Sequence, residues 1–163
     1  MFISKETCEG LNELLKMTFQ LNAHADNCAY WLDFNSFVQT NEILHEKYAH
    51  KFPELADKIS EFMSKMGCRA VRIGLEIEDK NYKDFEEVFQ DISVKFNKYR
   101  SKVYDVIDIA EDFNDREVVN FLDDYLLSLS LYLKQIEIWL RKVKQYEGRP
   151  AKFDKDFKTF LII

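Results

Sequence analysis

The sequence predicts an all-α fold, an antiparallel four-helix bundle with one long crossover connection. Three observations predict it. Apolar residues recur at three- and four-residue steps through four long segments, the stripe of a helix packed on one side. Only four Gly and two Pro occur in 163 residues, while 47% are hydrophobic and 32% charged, which suits one compact helical domain and excludes disordered and collagen-like classes. The connection between the second and third segments is the longest, as a one-crossover bundle requires.

The first helix runs near residues 5 to 33, with Leu11, Leu14, Leu15, Leu21, Ala25, Cys28, Ala29 and Leu32 on its apolar stripe. Ser36 followed by Gln39 forms a capping-box pattern that opens a second helix ending at Gly67. Its stripe is Leu44, Tyr48, Phe52, Leu55, Ile59, Phe62 and Met66. Pro53 interrupts it and removes one backbone hydrogen bond, so one kinked helix with a distortion at Pro53 is expected. Residues 68 to 81 are the connector, with Gly74, an acidic stretch of Glu76, Glu78 and Asp79, and room for a short helix.

Phe85, Val88, Phe89, Ile92, Phe96, Tyr99, Val103, Val106, Ile107 and Ala110 mark the third helix. Asn114 with Glu117 reads as the capping box of the fourth, whose stripe runs from Val118 through Leu122, Leu129, Ile136 and Trp139 to Val143. Gly148 and Pro150 end it. The domain reading is therefore a bundle over 1–148 and a C-terminal tail over 149–163. Phe157, Phe160, Leu161, Ile162 and Ile163 of the tail dock either on a neighbouring subunit or on their own bundle.

A net charge of −6 and a pI near 5.2 disfavour DNA and other phosphate backbones. The densest basic group, from Arg141 to Lys158, is diluted by Glu147, Asp154 and Asp156. Cys8, Cys28 and Cys68 are odd in number and widely spaced, so no disulfide framework or zinc knuckle is expected and a reducing, cytoplasmic setting is. The N-terminus lacks a signal-peptide pattern, and no apolar run approaches the ~20 residues of a membrane helix. Phosphate loops, dinucleotide fingerprints, H-E-x-x-H and nucleophile elbows are missing. His24 reads as a partly buried structural histidine.

One polar stripe of the second helix carries Glu42, His45, His50, Glu54, Asp57 and Glu61. Its plain reading is a solvated face, but carboxylates at i,i+4 without Lys partners in their own row repel each other, which favours a cation. Glu42 and Asp57 lie ~22 Å apart along a helix, too far to share an ion. Two second helices packed antiparallel about a twofold axis would bring Glu42 and His45 of one chain to Asp57 and Glu61 of the other. Oxygen-rich ligands with an imidazole suit iron and permit manganese or zinc.

These residues resemble the Dps-type mini-ferritins, the twelve-subunit branch of the ferritin-like superfamily, across about residues 11 to 145. Tyr30-Trp31 stands at the family's His-Trp pair, Asp57-x-x-x-Glu61 at its D-x-x-x-E and Met66-Gly67 at its Leu-Gly, while Asp112 to Asp115 and Leu133 to Leu140 fit its last turn and helix. The resemblance implies a ferritin-like four-helix bundle, a homo-oligomer built from antiparallel dimers into a dodecameric cage, and an iron site between subunits. Iron storage, Fe(II) oxidation by peroxide or oxygen and protection against oxidative stress would follow. The implied metal ligands are Asp57 and Glu61, with Tyr30 where the first family His falls and Glu42, or Asn41 with one deletion, where the second falls; His45 could supply an imidazole. With both family histidines replaced, the alternative is a ferritin-like structural or interaction protein without ferroxidase chemistry. The family's basic DNA-binding arm is missing.

Overall fold

The computed structural model describes residues 1–163 and is helical throughout, with no strand. Helix α1 spans Lys5–Phe34, α2 Val38–Ile43, α3 Lys51–Lys65, α4 Phe85–Asp112, α5 Arg116–Gln145 and α6 Pro150–Asp156. A π-helical segment, Leu44–Ala49, joins α2 to α3, and a 3₁₀ turn, Phe157–Phe160, follows α6. α1 packs against both α3 and α4, and α4 against α5. The sequence-derived stripes form one core of 40 buried residues. Residues 69–82 hold no helix of their own and cross the bundle as an irregular strap.

Both capping-box readings are corrected. Ser36 and Asn114 lie at positive φ, 69° and 58°, and end the helices before them. Phe37 N–H donates to Leu32 O at 2.8 Å and Asp115 N–H to Ala110 O at 2.8 Å, the long bond of a Schellman motif. Small polar residues suit an N-cap and a left-handed C-cap alike, so the pattern is ambiguous. The cap of α2 comes instead from the tail: Asp154 Oδ1 accepts from the Thr40 N–H and hydroxyl, each at 2.8 Å.

The helical path from α2 to α3 is continuous, but its distortion lies upstream of Pro53. The π segment ends at Ala49, the residue whose carbonyl the Pro53 ring would strike in a regular helix. Pro53 then occupies the first turn of α3, where its missing N–H has no intrahelical role. Gly148 does break α5, at φ 73°, but Pro150 opens a further helix. Phe153, Phe157 and Phe160 are buried against Trp139, Phe89 and Tyr146 of the same chain. Gln135 fastens the end by donating to Phe160 O at 2.9 Å and accepting from Ile162 N–H at 2.6 Å.

The cysteine reading is also corrected, because Cys8 and Cys68 form a disulfide with Cα atoms 5.9 Å apart. The antiparallel hairpin of α1 and α3 turns near residue 36 and so returns residue 68 to the first turns of α1, a proximity that spacing alone hides. Gly67, at φ 68°, reverses the chain there; an added Cβ would lie 3.1 Å from Met1 Cα. The bond removes the support that cysteine usage gave to a reducing compartment. No helix is long and apolar enough to cross a membrane.

Asp115 joins the start of the chain to the α4–α5 turn by accepting from Ser4 N–H at 3.1 Å, the Ser4 hydroxyl at 2.7 Å and the Thr7 hydroxyl. Burial pushes its carboxyl up, but the Thr7 and Ser4 bonds outweigh it and hold it below the ordinary 3.8. Its stabilising contribution is therefore present above about pH 3.8 and disappears as pH falls through the lower folded value. In urea unfolding at neutral pH, Asp115→Ala costs about 2–3 kcal/mol, and the variant loses less further stability below pH 4 than the parent does. Reduction of Cys8–Cys68, which closes a 60-residue separation, lowers unfolding free energy by about 4 kcal/mol in the chain-entropy account, read from the shift in urea midpoint.

Candidate functional site

A π-helical turn closes its hydrogen bonds over five residues, which brings side chains five apart closer round the helix than a regular α-helical turn does. The His50 N–H to His45 O bond, at 3.1 Å, is of this kind, and it sets the two imidazoles with ring centres 4.4 Å apart and planes tilted by 59°. Across the gap, α1 presents Asp26, whose Oδ1 is 3.5 Å from His45 Nε2. Tyr30, one turn further along α1, has its ring centre 6.4 Å from that of His45. Asp26 Oδ1 is buried and receives no hydrogen bond. Burial raises the Asp26 carboxyl from its ordinary value, and His45 and His50 partly oppose that.

Of the sequence-predicted site residues, the structure brings Tyr30 and His45 together. Glu42 is exposed on α2, one turn before His45, and Asp57 and Glu61 are exposed one turn apart on α3. Ser60 donates to the Asp57 backbone carbonyl and leaves the carboxylate to solvent. The two half-sites remain apart within one chain, where no three His, Cys, Asp or Glu side chains stand in a metal-holding arrangement. Asp26 and His50 were not singled out as ligands from the sequence. The signal for His50 was Pro53, since a widened turn ahead of a mid-helix proline turns the spacing of five into a neighbour relation.

The interior offers no alternative site. Its buried polar side chains are Thr7, Thr18, Thr40, Asp115 and Gln135, and midway along the bundle Thr18, Tyr99 and Tyr125 bond hydroxyl to hydroxyl. The exposed edge beside Tyr30 is apolar, with Tyr30 60%, Phe34 89% and Val38 59% accessible.

A second polar group fastens the strap. His24 Nε2 lies 2.9 Å from Asp91 Oδ2, Tyr82 O–H donates to the same oxygen at 2.7 Å, and Lys80 Nζ is 3.9 Å from Oδ1. Cys28 Sγ is 3.5 Å from the Tyr82 hydroxyl, but burial pushes its thiol up to about 12, which leaves it inert as a nucleophile at neutral pH. The group borders a cleft of about 220 Å³ lined partly by His24, Glu78, Lys95 and Lys98. Burial lowers His24 below 6.5, against the opposing pull of Asp91. The unfolded chain thus takes up a proton first as pH falls through 6.5, and folding loses stability on that acid side. By NMR titration, the His24 ring has its midpoint below 6.5, and Asp91→Asn moves it lower still because the raising interaction is removed.

A family profile described as Ferritin-like domain matches residues 8–146 of the chain. No curated protein matches it significantly. The matched span runs from the first turn of α1 to just past the end of α5 and includes Tyr30, Glu42, His45, Asp57 and Glu61.

Proposed function

Because the chain belongs to the ferritin-like domain family, we propose that it is a Dps-like iron-storage protein whose iron sites form between paired subunits. Tyr30, Glu42 and His45 of one chain would face Asp57 and Glu61 of its partner, in twofold-related sites of a dodecameric cage. The observation that carries this reading is the placement of the donors: Asp57 and Glu61 stand one turn apart on an exposed face of α3, open to a second chain. The apolar edge of Tyr30, Phe34 and Val38 gives a paired subunit something to bury around the donors.

In the reaction, Fe(II) ions bound by the carboxylates each give one electron to peroxide, which takes up two protons and leaves as water. Anionic oxygen donors favour Fe(III) over Fe(II), so the ligand set pulls the oxidation forward. Ferric product is then hydrolysed and kept as mineral inside the cage, which withdraws iron and peroxide together and so limits oxidative stress. The same donors accept manganese or zinc. Tyr30 in place of an imidazole favours a second reading, a ferritin-like interaction protein in which this face only joins subunits.

Anaerobic loading with Fe(II) followed by peroxide separates the two. Oxidation faster than in buffer, iron co-eluting with an oligomer, and a loss of at least ~10-fold in rate for Asp57→Ala/Glu61→Ala are the expected results. Oxidation no faster than buffer with no iron retained leaves the interaction protein as the reading.

A further inference from the structure

Asp26, His45 and His50 are joined by geometry rather than by sequence pattern. The π segment aligns the two histidines, with ring centres 4.4 Å apart, and the α1–α3 hairpin sets a carboxylate oxygen 3.5 Å from His45 Nε2. That oxygen is buried and accepts no hydrogen bond, and a desolvated carboxylate oxygen without a donor is costly to keep. One unsatisfied carboxylate oxygen beside one imidazole nitrogen, with a second imidazole packed on the first, offers the donor types of a borderline divalent cation and lacks the oxygen-only character that calcium or magnesium needs.

We propose that Asp26, His45 and His50 form a transition-metal site contained in a single chain, taking Zn(II), Co(II), Ni(II) or Fe(II) with water completing the coordination. As they stand the donors form an ion pair and a ring pair rather than a closed cage. Closing them on a cation takes side-chain rotation of the two imidazoles, whose register along the helix the hydrogen bond from His50 N–H to His45 O fixes. The site shares His45 with the iron reading above, but its other ligands differ and it needs no partner subunit. Because His45 is shared, the single-chain site serves before assembly, when that imidazole is not yet engaged between subunits.

The test is a Co(II) titration of the full-length protein, followed by calorimetry and visible absorption, with Zn(II) as competitor. The parent shows a Co(II) site whose affinity falls at least ~10-fold in His50→Asn and in Asp26→Asn. His50 is exposed, so His50→Asn keeps the parent far-UV circular dichroism. His50→Asn is also expected to oxidise iron at the parent rate, whereas Asp57→Ala/Glu61→Ala loses iron oxidation and keeps the Co(II) site. A parent chain that binds no Co(II), or a His50→Asn variant that binds it as tightly as the parent, overturns the proposal and leaves the iron reading untouched. Iron oxidation unaffected by Asp57→Ala/Glu61→Ala, with Co(II) binding lost in His50→Asn, overturns the iron reading and leaves this one standing.

Discussion

Pro53 cannot donate a backbone hydrogen bond, and the outer face of the molecule is arranged by how the chain absorbs that defect. A proline in the middle of a regular helix costs about 3 kcal/mol through the missing bond and the clash with the carbonyl four residues back. Here the turn that ends at that carbonyl is widened into a π segment, Leu44–Ala49. The helix continues, the buried stripe of Leu44, Tyr48, Phe52, Leu55 and Ile59 stays in the core, and the extra residue is taken up on the solvent side. Two histidines that a regular helix would set apart by more than a turn become neighbours as a result.

The remaining architecture explains why chemistry is pushed to that face. The core is aromatic and nearly free of ionisable groups; apart from the hydroxyls of Thr18, Tyr99 and Tyr125 midway along it, the long-range polar bonds act as fasteners at the ends. Asp115 ties the N-terminus to the α4–α5 turn, Asp154 ties the tail to the start of α2, and Gln135 ties down the final residues. Each is a long-range bond made by a residue whose sequence neighbourhood says nothing of its partner. Together they close the bundle at both ends and leave its lateral faces as the places where exposed donors can gather.

The parts of this structure that were legible in the sequence are those governed by local periodicity. The stripes of α1, α4 and α5 follow from side chains three and four apart, and Gly67 and Gly148 were readable as breaks because their positive φ needs no partner. The ambiguous parts were those where one residue type serves two geometries. Ser36 and Asn114 suit the start of a helix and the end of one, and only the bonds to Leu32 O and Ala110 O decide between them. Asp26 was invisible as a site residue because its significance lies across a helix pair from His45. Cys8 and Cys68 were misread for the same reason: their closeness is a property of the hairpin, not of their spacing. The closeness of Tyr30 and His45 lies across a helix pair, and the π register that brings His50 to His45 depends on where the Pro53 defect is absorbed, so neither is written in local spacing.

The Cys8–Cys68 bond also changes how the molecule would bear load. A pull on the two termini enters at residue 1, crosses to residue 68 through the sulfur atoms, and continues along the strap to α4, α5 and the tail. Nearly all of α1, with α2, the π segment and α3, lies on a covalently closed branch outside that route. Roughly 200 Å of contour length is thereby withheld from extension, so the hairpin that carries Asp26, Tyr30, His45, His50, Asp57 and Glu61 is mechanically shielded even when the rest of the chain is drawn out.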